Sequence, residues 1–177
     1  MTTVMLDIET LGTDPDCVIL TLGAVKFNPF SEQEPYDALY IKFAVDEQLE
    51  LGRSIEQGTL DWWNKQDPAI RDEAMSDDGR IPLSECLADL NRFLVGVKDI
   101  WAQGPTFDIT ILENLYKQML VPRPWNFWQI RDSRTLFGVH GDPRDKNRAS
   151  AHNALEDAYS QAQAMQTIYK QVGIKPH

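Results

Sequence analysis

The chain is expected to be an α/β protein in which a sheet is layered with helices. Three observations predict this class. The first 45 residues carry apolar runs with the two-residue period of strands, the rest of the chain switches to helical spacing, and short apolar stretches recur between the helical segments. At 177 residues, 42% apolar and 25% charged, the chain matches an ordinary globular domain, large enough to bury about 70% of its unfolded surface. Residues 1–177 are expected to form a single domain.

From Val4 to Glu9, Val4, Leu6 and Ile8 alternate with Met5, Asp7 and Glu9, which predicts a strand. The run Val18 to Phe27 is long, β-branched and apolar, as a strand buried on both faces is. Leu39, Ile41 and Phe43 alternate with Tyr40 and Lys42 in a third strand, and turn residues at 12–17 and 29–35 join the three into an antiparallel meander. Behind Pro82, the positions Leu83, Cys86, Leu87, Leu90, Phe93 and Leu94 predict a helix. Ile100 to Ala102 reads as a fourth strand, and Ile109, Ile111, Leu112, Leu115, Tyr116 and Met119 mark a helix that stops before Pro122. Trp125 to Gln129 is either a fifth strand or a packed aromatic loop. The polar segment Gly138 to Ser150 is expected to be an exposed, mobile loop, followed by a helix from about Ala154 to Gln171 with Gly173 as its stop.

A net charge of −10 argues against a protein that grips long nucleic acid through bulk electrostatics, but leaves room for one that acts at an end. Between Arg131 and Arg148, Arg131, Arg134, Arg144, Lys146 and Arg148 face only Asp132, Asp142 and Asp145, which suits either a phosphate track or a solvated loop. No apolar run approaches the roughly 18 residues of a membrane span, and no basic stretch with an apolar core opens the chain. With Cys17 and Cys86 far apart and outside any metal-binding spacing, we expect free thiols and a cytoplasmic location without membrane contact.

The chemistry lies in five residues in fixed order: Asp7, Glu9, Asp108, His152 and Asp157. Asp7 and Glu9, two apart in a strand, lie on one side with α-carbons about 6.5 Å apart. Asp108 stands where a helix begins after Gly104-Pro105, and the positive helix end favours an anion there. Asn153 and Glu156 have the spacing of a capping box, which makes Asn153 the N-cap, His152 the residue before it and Asp157 the fourth helical position. Those last two positions meet, so a rigid carboxylate and a swinging histidine are expected side by side. Taken singly, each residue has an ordinary structural explanation: an exposed strand acid, a helix-start acid, a capping or loop histidine. Together they gather four carboxylates, and like charges at one point raise each other's pKa unless cations neutralise them. Two divalent ions would make the group a phosphoryl-transfer site.

The motifs Asp7-Ile8-Glu9-Thr10, Gly104-Pro105-Thr106-Phe107-Asp108 and His152-Asn153-Ala154-Leu155-Glu156-Asp157 resemble those of the DEDDh branch of the DnaQ-like 3′-to-5′ exonucleases, over residues 4 to about 170. The second departs from many relatives, which carry Asn where Gly104 stands. Thr59-Leu60-Asp61-Trp62-Trp63 and the aromatic-plus-RD segment Phe127 to Asp132 resemble a branch of small phage and bacterial exonucleases. The resemblance implies a ribonuclease-H-like mixed five-stranded sheet with helices on both faces. It also implies a single exonuclease domain with two Mg²⁺ or Mn²⁺ ions held by Asp7, Glu9, Asp108 and Asp157. In that scheme His152 is the general base, and Glu9 serves in catalysis as well as in metal binding. Oxygen ligands favour these hard ions over zinc.

By the same resemblance Thr10, Leu11 and Phe107 line the terminal nucleotide, with Leu11 or Phe107 against its base, and Arg131 joins the substrate contacts. Trp62 and Trp63 are about 100° apart on a helix, so one is expected in the core and the other at the substrate cleft. The expected partner is the 3′ end of single-stranded DNA or RNA, with a homodimer possible because relatives are often dimers. The alternative from another class is a nucleic-acid-binding or proofreading-type subunit with little catalysis of its own, motivated by the acidic surface.

Overall fold

The structure, a computed structural model, describes residues 2–145 and 152–176. Strand β1 (Thr3–Thr10) pairs antiparallel with β2 (Ile19–Phe27), which pairs antiparallel with β3 (Tyr36–Phe43), so the meander is present. Three short helices follow, α1 (Val45–Glu50), α2 (Gln57–Trp63) and α3 (Pro68–Met75), then a two-residue strand β4 (Arg80–Ile81) parallel to β3. Helix α4 (Leu83–Phe93) leads to β5 (Asp99–Ala102), which lies parallel to β1. Helix α5 (Pro105–Gln118), strand β6 (Ile130–Asp132), and helices α6 (Ser133–His140) and α7 (Ala154–Val172) complete the chain. The sheet is mixed, in the order β4-β3-β2-β1-β5-β6.

The sheet therefore has six strands where five were expected, because β4 is too short to leave a periodic signal. The last strand is also displaced. Trp125 is buried edge-on against Tyr116 with ring centroids 5.3 Å apart, Phe127–Gln129 forms a 3-10 turn, and Ile130–Asp132 makes the pairing with β5. The expected loop at 138–150 begins later than the sequence suggested, since α6 runs to His140; residues 146–150 lie outside the described residues.

Alternation along β1 sorts its side chains to two cores. Val4, Leu6 and Ile8 pack with Leu87, Leu90, Leu112 and Leu115 of α4 and α5, while Met5 packs with Ala158, Ala162, Met165 and Ile168 of α7. Each fully buried aliphatic side chain of this kind contributes about 1.5–3 kcal/mol. A third cluster seats Trp63 and Ala74, from α2 and α3, on Leu11, Val18 and Leu20. Ala154, Ala158 and Ala162, all fully buried, recur every four residues and bring α7 close to the sheet. The odd-numbered face of β1, which carries Asp7 and Glu9, is thus the face that α7 covers. Cys17 and Cys86 are buried free thiols, and no described helix is long and apolar enough to cross a membrane.

Candidate active site

Three elements converge at the carboxyl ends of β1 and β5, where open α/β sheets carry their sites. Asp7 lies opposite Gly23 of β2 in the antiparallel register. A Cβ on Gly23 would stand 2.2 Å from the Leu155 nitrogen and 2.3 Å from the Ala154 carbonyl carbon, so the first turn of α7 rests directly on the strand backbone beside Asp7. Asn153 caps that turn, accepting from the Leu155 and Glu156 N–H groups at 3.1 Å. The His152 backbone N–H donates to Asp157 Oδ2 at 2.9 Å, so the expected meeting of these two residues is made through the main chain. His152 has φ +71°, a left-handed conformation uncommon for a residue with a side chain and often found at functional sites.

Asp108 arrives from the other side of the sheet. Gly104, at φ +96°, turns the chain into α5, Pro105 fills its first position, and Asp108 follows one turn on, only 4% exposed. Its Oδ1 accepts from the Ile8 N–H at 3.1 Å, locking α5 to β1 between the two acids of the first motif. Asp7, Glu9, Asp108, His152 and Asp157 all line one open cleft of about 560 Å³.

The electrostatics of this cleft are those of a site for cations. Burial holds the Glu9 carboxyl well above its ordinary range, and the charges of Asp7 and Asp108 add to the effect. Asp108 is pushed up to about 7 by burial, against the lowering effects of the Ile8 N–H and of Arg134. One ligand atom each from Glu9, His152 and Asp157 lies within 4.8 Å of the other two. Clustered carboxylate oxygens that protonate for want of compensating charge fit hard divalent ions, with no thiolate to favour a softer metal.

A second pocket of about 330 Å³ adjoins the first and shares Ile8, Glu9 and Phe107 with it; Thr10, Thr59 and Trp62 are among its other lining residues. The two tryptophans divide as α2 requires. Trp63 is fully buried and donates from Nε1 to the Thr10 carbonyl at 2.9 Å, whereas Trp62 is 39% exposed and meets the His152 ring edge-on at 4.8 Å. Two expectations are corrected. Leu11 is 5% exposed and packs with Val18, Leu20 and Trp63, so it is a core residue and Phe107 alone of that pair reaches the pocket. Arg131 does not line the cleft: its guanidinium pairs with Asp99 at 2.8 Å and donates to the Ile130 carbonyl at 3.0 Å. Among the described residues, the basic side chains that do line it are Arg134 and Arg144. Arg134 donates to the Gln103 carbonyl, and Arg144 lies over the Phe137 ring and bonds Asp142 and the Gln103 side chain. Lys146 and Arg148 of the same basic stretch lie outside the described residues.

Sequence reasoning passed over Gln161, which lines the cleft one turn beyond Asp157, although the four-residue spacing on one helix face was available to find it. It also passed over Glu56, whose carboxylate accepts from the Thr13 and Asp14 N–H groups at 2.6 and 3.1 Å and holds the loop after β1 against the start of α2.

Residues 2–169 match the family described as the 3′-5′ exoribonuclease Rv2179c-like domain. The chain belongs to that family. It is a 3′-to-5′ exonuclease. An exodeoxyribonuclease of Enterobacteria phage T4 is 26% identical over 156 residues, covering 74% of this chain and 68% of the phage protein. Among solved structures, the nuclease domain of 3′hExo, a DEDDh family member bound to rAMP, superposes with a TM-score of 0.64 at 14% identity, over 99% of this chain and 94% of that one. The E. coli ExoI–ssDNA complex superposes with a TM-score of 0.66 at 17% identity, over 96% of this chain. This chain spans 41% of the length of that ExoI chain. These likenesses show the ribonuclease-H-like fold.

Proposed function

We propose that this chain removes nucleoside monophosphates from the 3′ end of single-stranded DNA or RNA, using Asp7, Glu9, Asp108 and Asp157 to hold two Mg²⁺ or Mn²⁺ ions. The observation that carries the reading is the convergence of all four carboxylates and His152 on one cleft from β1, α5 and α7. When bound, the ions supply charge neutralisation for the scissile phosphate and a lowered pKa for the attacking water. His152 accepts the proton of that water; its ring is braced by Trp62 and its main chain is anchored to Asp157. Arg134 and Arg144, on the rim beside the acids, take the chain's phosphates. The smaller pocket receives the terminal nucleoside, with Phe107 and Trp62 as sequence-tolerant stacking surfaces and Thr10 in its wall.

Support for both sugars comes from the relatives, one family described by exoribonuclease activity and one phage protein by exodeoxyribonuclease activity. The ExoI complex with ssDNA supports a single strand. We also read residues 1–177 as one exonuclease domain and the chain as a homodimer. Phe127 and Trp128, 74% and 60% exposed beside edge strand β6, offer an apolar patch for pairing, and a solution mass twice 20.2 kDa is the expected result.

A time course on matched 5′-labelled DNA and RNA, single-stranded and duplex, with Mg²⁺ or Mn²⁺, tests the proposal. Mononucleotide release from single strands is expected, together with its loss in Asp108→Ala and Asp157→Ala. His152→Ala is expected to slow release by about 10²- to 10⁴-fold. Unchanged release in the aspartate variants would overturn the site; an unchanged rate in His152→Ala would overturn only the general-base role.

A further inference from the structure

Gln161 is 3% exposed, lines the acidic cleft, and stands four residues after Asp157 on the α7 face that covers β1. Its Nε2 donates to Asp7 Oδ1 at 3.0 Å. That bond fixes the orientation of the amide, because a carboxylate oxygen accepts and only the nitrogen end of the side chain donates. The other end is then determined: Oε1 is buried and has no hydrogen-bond partner among the described residues. Buried carbonyl oxygens in native proteins are hydrogen-bonded as a rule, so the position calls for a donor that comes with a ligand.

The neighbours narrow what that ligand is. Asp7, Glu9, Asp108 and Asp157 offer acceptors when ionised, and Arg134 and Arg144, the basic side chains of the cleft among the described residues, donate to Gln103 and Asp142. A phosphate or a bare carboxylate brings further acceptors. A hydrated divalent cation brings both the charge that the four carboxylates lack and an outward-facing shell of water hydrogens, and hard ions of the Mg²⁺ class keep several waters when protein-bound.

We infer that Gln161 is a positioning residue for the cation site, its amide nitrogen orienting Asp7 and its carbonyl oxygen accepting from the hydration shell of the bound ion. The two contacts act together: fixing one Asp7 oxygen sets where the other points, and the accepted hydrogen bond holds the ion's water in a defined place. Outer partners of this kind commonly change metal affinity 10- to 100-fold when removed. The inference rests on the acidic cleft being the cation site proposed above.

Calorimetric titration of the purified, ion-free chain with Mn²⁺, in the absence of nucleic acid, separates the two ideas. The unaltered chain is expected to bind; if it does not, the cation-site reading itself fails. Gln161→Met, which keeps the volume and removes both polar ends, is expected to bind Mn²⁺ about 10- to 100-fold more weakly while its ion-free melting temperature changes little, because loss of the bond to Asp7 is offset by removal of the unsatisfied carbonyl. A merely structural role would lower the melting temperature and leave affinity alone. Gln161→Glu keeps an acceptor but loses the donor and adds charge beside Asp7, so it is expected to bind no better than Gln161→Met at neutral pH. Equal Mn²⁺ affinity in the unaltered chain and Gln161→Met would overturn the assignment. Should either variant fail to fold, the Gln161 side-chain amide resonances of the unaltered chain decide the matter: they are expected to shift and saturate with Mg²⁺, and resonances that stay in place during saturation would overturn it.

Discussion

At the residue scale, the adjacent pair Trp62 and Trp63 shows how one 100° step along a helix separates stability from chemistry. Their rings meet edge-on at 5.1 Å, yet Trp63 is sealed in the core and Trp62 braces His152 from the cleft side. Trp63→Phe keeps most of the apolar volume but leaves the buried Thr10 carbonyl without its Nε1 donor, a loss of about 1–3 kcal/mol. For a chain of this size the melting temperature is expected to fall by roughly 2–12 °C in a calorimetric scan. Trp62→Ala removes a half-exposed ring, so the expected result is a turnover number that falls by a larger factor than in Trp63→Phe, with a smaller thermal shift. Reversal of that order would show that Trp62 is held for packing alone. The division itself was legible in the sequence, because a 100° step allows only one of two neighbours to face the core. Which one faced inward was not, since that depends on where α2 sits over Leu11 and Val18. Leu11 was misplaced for the same reason: the motif fixes its distance from Glu9, but only the packed neighbour Trp63 decides that it points inward.

At the element scale, the site depends on how closely α7 lies on the sheet. β1, α5 and α7 were readable because each is long enough to repeat its period, and Asn153 marked the start of α7 through its own capping chemistry. Helices α1 to α3 span only six to eight residues, too few to establish a stripe, although Asp67 before Pro68 carried a capping signal that the structure uses, with Asp67 accepting from the Ala69 N–H. β4 exists because β3 offers it an edge, a tertiary cause with no local trace. The contact most specific to function is also invisible in one sequence: Gly23 gives room to the backbone of Ala154 and Leu155, about 130 positions further along, and only the register of β1 against β2 sets it beside Asp7. Gly23→Ala would drive a methyl group into the Ala154 and Leu155 backbone, where no flexible side chain can yield. Overpacking of this type costs about 1–3 kcal/mol or more, and here the relief available is to lift the first turn of α7, carrying Asp157 and His152 away from Asp7 and Glu9. The expected outcome is a folded but destabilised chain whose Mn²⁺ affinity and exonuclease rate fall together. An active Gly23→Ala variant with unchanged metal affinity would show that this close approach does not set the site.

At the scale of the whole molecule, concentrating buried acids in one cleft makes stability, pH and metal a single linked system. Glu9 and Asp108 have folded-state pKa values raised above those of the unfolded chain, Asp108 to about 7, so the folded protein binds their protons more tightly than the unfolded chain does. Their contribution to stability is therefore fully present below the unfolded values near 4 and is lost as pH rises through the folded ones. Glu32, Glu34 and Glu56, lowered by hydrogen bonds, act in the opposite sense, and their contribution fails only as pH drops below the ordinary carboxylate range. In a chelating buffer the melting temperature is thus expected to fall between about pH 5 and pH 8. Divalent ions bind the ionised carboxylates and act hardest where the loss is greatest. At a hundredfold excess over Kd an ion adds about 2.7 kcal/mol, which for this size of chain corresponds to roughly 5–11 °C. The metal-induced rise in melting temperature should accordingly be small at pH 5 and large at pH 8, measured with Mg²⁺ and Mn²⁺ in parallel scans. A rise that is the same at both pH values would mean that protons and cations do not compete for these carboxylates, and the acidic cleft would then owe its shape to something other than metal binding.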